Sequence, residues 1–312
     1  MNSTDFPAMI GLDWGTSSLR AYLLDITGRV LAREHAAKGI MQVADGDFAA
    51  ALDAVAGRWT REHPGLPVIA AGMIGSAQGW VEAPYVRCPA GAADLAAGLV
   101  AVPGPGLRVI PGVLRDGAAP NVMRGEETQI VGALTGRPDL GRAGRLVLPG
   151  THSKWAEVMD GRITSFATYM TGELFAVLRG HSILGRFATA GTPAEDAARA
   201  AFLRGVDTAR EASGLAPLLF SARALVLTGA LAPNQSLDYL SGLLIGDEIR
   251  AAAPAPGEPL LLIGDPALSA RYALALARFE TGPVTEIADA APAGLFAVAR
   301  AAGLIPDAKD MR

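Results

Sequence analysis

The sequence predicts an α/β protein built from two duplicated domains, and three observations carry that expectation. The chain has 312 residues, more than one hydrophobic core usually holds, since domains run to roughly 150 residues. A strand, a Gly-Thr turn and a second strand occur twice, with Gly15-Thr16 matching Gly150-Thr151 and Ser18 matching Ser153 at a constant offset of 135. One repeat of that length means duplicated domains, whereas solenoids use short and numerous repeats. Finally, short apolar runs that end in glycine are interleaved with stretches of helical spacing, the pattern of strands and helices in one unit.

Taken in order, residues 8–25 read as strand, turn, strand: Ile10 and Leu12 lead into the turn at 13–17, and Leu19, Ala21 and Leu23 then alternate with other residues. Gly28-Arg29 is the next turn and 30–36 a third strand; Phe48, Leu52, Val55 and Trp59 share one face of a helix over 48–62. The apolar strand 67–71 runs into 72–80, too rich in glycine for a regular element and therefore a loop at a strand's end. A Pro/Gly stretch at 102–106 precedes a strand at 107–111, a polar loop and a helix over 126–134. Glycines and prolines in 135–144 mark the domain boundary. The lobes are then 1–143 and 144–287, with a C-terminal helix in 288–312 packing back on the first and a cleft between the two. Past the boundary the opening pattern returns over 145–158, followed by helices at 173–178, 193–212 and 236–252 and strands at 224–227 and 260–263.

Composition excludes several functions. Half the residues are hydrophobic, 6% aromatic and 19% charged, so the chain can bury large cores and is not disordered. Acidic residues number 31 against 27 Lys plus Arg, for a formal charge of -4, and the basic ones are scattered, which leaves no footprint for nucleic acid. The opening residues lack a basic segment followed by an apolar stretch, and no run of 18 or more apolar residues occurs, so neither export nor membrane spanning is expected and the protein reads as cytoplasmic. The single cysteine, Cys88, excludes an intramolecular disulfide and a thiolate metal cage and reads as a half-buried structural thiol. A homodimer is left open.

The chemistry starts at the first turn. A strand that delivers Asp13 to Gly15, Thr16 and Ser17 offers a triphosphate close backbone approach, N–H and hydroxyl donors, and a carboxylate for hydrated Mg²⁺. The same residues also make ordinary hairpin turns, but the second copy at Gly150-Thr151 favours phosphates, because two such turns are how the actin-like ATPase fold holds them. No P-loop or dinucleotide fingerprint competes. In the second turn Leu148 occupies the acidic position, and His152 and Lys154 flank a hydroxyl, a set suited to an anionic substrate or a phosphoryl group in transfer. The segment 121–129 places Glu126 and Glu127 at a helix start beside Arg124. Helix-dipole pairing accounts for one of the two; the other is a candidate general base. A similar Gly-x-Glu-Glu segment in exopolyphosphatases of the same superfamily favours Glu127 over Glu126. Arg124, whose planar fork matches a carboxylate, is the first choice for holding an acidic acceptor.

The runs IGLDWGTSSLRAYL (10–23), AGMIGSAQGW (71–80), APY (83–85), NVMRGEETQIVGA (121–133), LPGTHSKW (148–155), TYMTGEL (168–174), LSGLLIGDE (240–248) and ARY (270–272) resemble the 2-dehydro-3-deoxygalactonokinases nearly end to end. The resemblance implies the two-lobed actin-like ATPase fold and transfer of the γ-phosphoryl of ATP, with Mg²⁺, to the 6-hydroxyl of 2-dehydro-3-deoxy-D-galactonate in galactonate catabolism. It implies that Asp13, Gly15, Thr16 and Ser17 form the first phosphate turn and Gly150 and Thr151 the second. Gly242 and Gly264 would lie in segments bordering the nucleotide; Met73, Gly75, Trp80, Arg124, His152, Lys154, Thr171 and Glu173 would surround the sugar acid. The sequence departs from the family at Gly264-Asp265-Pro266, where small hydroxyl residues are expected after the glycine. Competing expectations are a phosphohydrolase of the same superfamily and a kinase of the epimeric 2-dehydro-3-deoxygluconate, since one hydroxyl separates the epimers. A regulator that binds ATP or a filament subunit is disfavoured by the lack of a basic extension or long insert.

Overall fold

The structure, a computed structural model, describes residues 6–104, 106–135, 137, 143–187 and 191–305. Its described residues fall into two compact units, the first comprising those up to Gly144, Ala156–Phe166 and those from Asp289 onward, the second comprising Arg145–Trp155 and Ala167–Ala288. The boundary region expected at 135–144 lies partly outside the described residues.

In the first unit, β1 (Pro7–Trp14) is the strand on which the others are organised. Its residues from Met9 to Trp14 are all buried, as an inner strand covered on both faces must be. β2 (Leu19–Asp25) pairs with it antiparallel, Trp14 facing Leu19 across the turn, and β3 (Val30–Ala36) adds on the far side of β2. β4 (Val68–Ala71) lies parallel to β1, so its C-terminal end and that of β1 open on the same edge. β5 (Tyr85–Arg87), β6 (Val100–Ala101), β7 (Leu107–Val109), β8 (Gly112–Arg115) and β9 (Asn121–Met123) follow. They complete the order β3-β2-β1-β4-β7-β6 and a small separate sheet β5-β8-β9.

Helix α1 (Phe48–Glu62) starts at Asp47, whose side chain accepts the Ala50 N–H at 2.9 Å, and buries Phe48, Leu52, Ala56 and Trp59 against the sheet. α2 (Ala92–Ala97) is short; α3 (Glu126–Thr135) packs on the terminal helix Ala291–Ala301. A Cβ on Gly132 would lie 2.0 Å from the Ala290 carbonyl, and one on Gly294 1.8 Å from that of Thr128, so the two helices meet backbone to backbone.

The second large sheet repeats the plan. β10 (Ala143–Leu148), β11 (Ser153–Met159), β12 (Arg162–Tyr169), β13 (Leu260–Ile263) and β14 (Val284–Ile287) stand in the order β12-β11-β10-β13-β14. That is the arrangement of β3-β2-β1-β4-β7, a meander followed by two strands parallel to its first. The helices of the second unit are α4 (Thr171–His181), α5 (Glu195–Arg210), α6 (Ser221–Leu227), α7 (Ser236–Ala252) and α8 (Pro266–Leu276); the terminal helix of the first unit is α9 (Ala291–Ala301).

One expected strand is a helix. Residues 224–227 belong to α6, where Ala222 is buried and Leu225 and Val226 pack on the same cluster while Leu227 is 62% exposed. The spacing i, i+3, i+4 is helical; four apolar residues in a row are too few to tell a buried strand from one turn of buried helix.

Candidate active site

The first glycine turn closes on itself. The Gly15 N–H donates to the Ser18 carbonyl at 2.9 Å, and the Gly15 and Thr16 carbonyls accept the Ile40 and Met41 N–H groups. That loop fits only because residue 39 is glycine: a Cβ there would lie 2.2 Å from the Thr16 carbonyl oxygen. With Gly15 engaged, the exposed Thr16 and Ser17 are the turn's donors to an anion. Asp13, 8% exposed, sits at the end of β1 with an Arg20 guanidinium nitrogen 2.7 Å away. Burial pushes its pKa up, Arg20 pulls it back, and the charges of Asp289 and Glu126 raise it further. Asp289 is itself held by Arg33 at 3.1 Å and by the Tyr22 hydroxyl at 3.4 Å. This acidic neighbour comes from the far end of the sequence, and only the packing of α9 brings it here.

Both glutamates of the pair fold back on the start of their own helix. Glu126 accepts the Arg124 N–H at 3.1 Å and Glu127 the Gly125 N–H at 2.7 Å, so helix-terminus pairing accounts for both and not for one alone. Burial separates them. Glu127 is fully buried and also accepts the Thr128 hydroxyl at 3.0 Å; burial, with the Glu126 charge adding, pushes its carboxyl up to about 8. Glu126 is half-buried, in reach of solvent.

Arg124 donates to the Ala83 carbonyl at 2.7 Å, and its guanidinium lies over the Tyr85 ring, 4.4 Å from the centroid. Its Nε and Nη1 are buried, and among the described residues neither has a hydrogen-bond partner. Gly75 makes room for it, since a Cβ there would lie 2.9 Å from Nη1. Met73 and Trp80 from the same loop pack on the core instead: Trp80 stacks on Phe48 at 6.1 Å and meets Trp14 edge-on at 6.3 Å. Tyr85 had drawn attention only as part of a motif; the small β5-β8-β9 sheet is what places it under Arg124.

In the second unit, Gly150, Thr151, Thr171, Gly172 and Tyr272 line one end of a cavity of about 530 Å³ whose remaining wall includes Phe175, Leu244 and Leu268. The start of α4 presses on the turn, because a Cβ on Gly172 would lie 2.5 Å from the Gly150 carbonyl. Glu173 donates its N–H to the Thr151 carbonyl at 3.0 Å and pairs closely with His152, both side chains exposed. Lys154 is buried and donates to the His152 carbonyl at 2.8 Å. Gly242 is absent from the cavity wall: it serves the contact of α5 with α7, a Cβ there falling 2.0 Å from the Phe202 carbonyl, while its neighbour Ser241 lines the cavity. Gly264 has φ +155 and precedes Asp265, another lining residue, which caps α8 by accepting the Ala267 and Leu268 N–H groups at 3.0 and 3.1 Å. The Gly-Asp-Pro sequence is thus a capped helix start with proline in its first turn.

Residues 13–298 match the model of the 2-keto-3-deoxy-galactonokinase family. The chain belongs to this family. It is 41% identical over 299 residues, 93% of this chain and 96% of the relative, to a Rhizobium meliloti (strain 1021) protein named "Probable 2-dehydro-3-deoxygalactonokinase DgoK1". It is 36% identical over 266 residues, 84% of this chain and 87% of the relative, to the 2-dehydro-3-deoxygalactonokinase of Escherichia coli (strain K12). A crystal structure of a Sinorhizobium meliloti protein described under the same kinase name superimposes with a TM-score of 0.85 at 38% identity, covering 94% of this chain and 98% of that one. An activator of 2-hydroxyisocaproyl-CoA dehydratase from Clostridium difficile, solved with bound ADPNP, shares the fold alone, at 11% identity and a TM-score of 0.51 over 97% of both chains. As a member of this kinase family the chain is an ATP-dependent phosphotransferase, and its fold is that of the actin-like ATPases. Among the described residues, no helix is long and apolar enough to cross a membrane.

Proposed function

We propose that the chain transfers the γ-phosphoryl of ATP to the 6-hydroxyl of 2-dehydro-3-deoxy-D-galactonate, giving 2-dehydro-3-deoxy-6-phosphogalactonate and ADP in galactonate catabolism in the cytoplasm. The observation that carries the acceptor class is Arg124. A guanidinium with two buried nitrogens unpartnered among the described residues is costly unless an anion completes it, and a planar fork suits the carboxylate that separates a sugar acid from a neutral sugar. The names of the relatives, each a 2-dehydro-3-deoxygalactonokinase, support the galacto configuration.

In this reading the cavity of the second unit takes the nucleoside of ATP, with Gly150 and Thr151 at the phosphates. In the first unit, Thr16 and Ser17 are the turn's donors to an anion and Arg124 is the side chain suited to the acceptor's carboxylate. Asp13, at the end of β1 beside the first turn, would be the carboxylate for a Mg²⁺ that keeps most of its waters. Bound there, Mg²⁺ would neutralise phosphate charge. Arg20, 2.7 Å away, opposes the burial that pushes the Asp13 pKa up. The general base is Glu126, which reverses the order expected within the pair. A carboxyl sealed from solvent and pushed up to about 8 is mostly protonated at neutral pH, whereas Glu126 is open to solvent and Arg124 orients it.

A kinase assay with ATP over 2-keto-3-deoxy sugar acids of both configurations and over neutral hexoses tests the proposal. The galacto acid should be preferred, hexoses should be poor, and Arg124→Ala should raise the acceptor KM about 100-fold while the KM for ATP stays within twofold. Equal turnover of glucose, or ATP hydrolysis that needs no acceptor, would refute it.

A further inference from the structure

The second unit contains an ionisable group that neither glycine turn uses. Glu248, on α7, is 2% exposed, and three side chains converge on its carboxylate. Oε1 accepts the Trp155 indole N–H at 2.8 Å; Oε2 accepts the Tyr272 hydroxyl at 2.7 Å and the Thr171 hydroxyl in a short contact. Tyr272 meets Ser153 Oγ at 2.9 Å, and that oxygen stands 3.4 Å from the Gly150 N–H. An acidic side chain this deep in an apolar helix face is costly, so the surroundings must return what water would have supplied.

The direction of these bonds has a chemical consequence. An ionised carboxylate can only accept, an indole N–H can only donate, and a hydroxyl has one proton and two lone pairs. Three donors aimed at Glu248 stabilise its charge against the burial that pushes its pKa up. They also commit their protons: Tyr272, having given its own to Glu248, accepts from Ser153. Thr171, having given its own, has only lone pairs left for the cavity that it lines.

We infer that Glu248 is a positioning residue that makes Thr171 an obligate hydrogen-bond acceptor, so that the ligand group seated against Thr171 is a hydroxyl donor and not a phosphate oxygen. This rests on the reading of the cavity as a ligand site. The donor hydroxyl belongs to the ribose of the nucleotide or to the sugar acid; both present the same chemistry to Thr171, and the assay separates them.

Glu248→Gln supplies the test, because an amide places N–H groups where Thr171 and Tyr272 now find lone pairs, and both hydroxyls must reverse. The KM of the ligand with the donor hydroxyl should rise about tenfold, the worth of one such bond, with kcat changed less than twofold. Thr171→Val should give the same rise, and in a Thr171→Val background Glu248→Gln should add nothing. If the ribose is the donor, 2′-deoxy-ATP or 3′-deoxy-ATP already shows the raised KM and is insensitive to both substitutions. If the sugar acid is the donor, its KM alone moves. A Glu248→Gln protein that unfolds at lower temperature with both KM values unchanged, or that raises KM equally with valine at 171, overturns the inference. Thr171→Val without effect on either KM sinks instead the reading of the cavity as the ligand site. Should the glutamine variant not fold, the cycle of Thr171→Val with the deoxynucleotides and with deoxy analogues of the acid decides, additive penalties for every hydroxyl overturning the pairing.

Discussion

The two glycine turns are copies of one element, yet each handles charge differently. In the first, the strand ends in Asp13, the turn is closed by a backbone bond from Gly15 to Ser18, and Arg20 on the next strand neutralises the acid. In the second, Leu148 stands in the acidic position, Ser153 is turned inward to Tyr272, and the carboxylate beneath, Glu248, arrives from a helix about 100 residues later in the chain. A duplicated backbone therefore fixes where the glycine turns form, while the acid comes from the turn's own strand in one copy and from a packed helix in the other. The first turn carries its acid on its own strand, paired with Arg20; the second takes its acid from a helix beneath it and uses it to orient hydroxyls.

The largest expected effect breaks the first half of that comparison. Asp13→Asn keeps the shape but removes the charge that Arg20 balances, so kcat should fall roughly 100-fold or more with circular dichroism unchanged. Activity near the parent's in a folded protein would show that the turn does not need its acid. Next comes the glutamate pair. Glu126→Gln should lower kcat by about 100-fold or more, whereas Glu127→Gln should leave turnover per folded molecule close to the parent's; the reverse outcome would return the base to the buried member.

Glu127 also gives a pH signature. Its folded pKa of about 8 exceeds the ordinary 4.5, so between those values the unfolded chain loses a proton that the folded one retains. Stability from this group is therefore full below pH 4.5, declines as the pH rises and levels off above about 8. Melting temperatures of the parent should fall over that window more steeply than those of Glu127→Gln; parallel curves would mean that the carboxyl is ionised in the fold.

Smaller effects come from the glycines of the second unit. Gly172→Ala forces a methyl to within 2.5 Å of the Gly150 carbonyl, so the KM for ATP should rise several-fold through displacement of the turn. Gly242→Ala, which meets the Phe202 carbonyl instead, should cost about 1–3 kcal/mol of stability in denaturant titration and leave both KM values nearly unchanged. An effect of Gly242→Ala on the KM for ATP with no loss of stability would place that glycine at the nucleotide after all.

What the sequence determined by itself is what local pattern determines. The periodicity of Phe48, Leu52 and Trp59 set helix α1 over 48–62, the alternation around Asp13 set the first hairpin, and the recurrence at 145–158 set the second, all as observed. The family was equally legible, because the runs that carry the resemblance are contiguous. The helix at Ser221–Leu227 was not legible, because four apolar residues have no period, and its register is set by packing against α7. Nor was the difference in burial between Glu126 and Glu127, adjacent residues of one type. Asp289 near Asp13 and Arg20, Tyr85 under Arg124 and Glu248 beneath the second turn are pairings between distant segments. Burial and the direction of a hydrogen bond depend on which distant atoms displace water, and only the folded chain decides that.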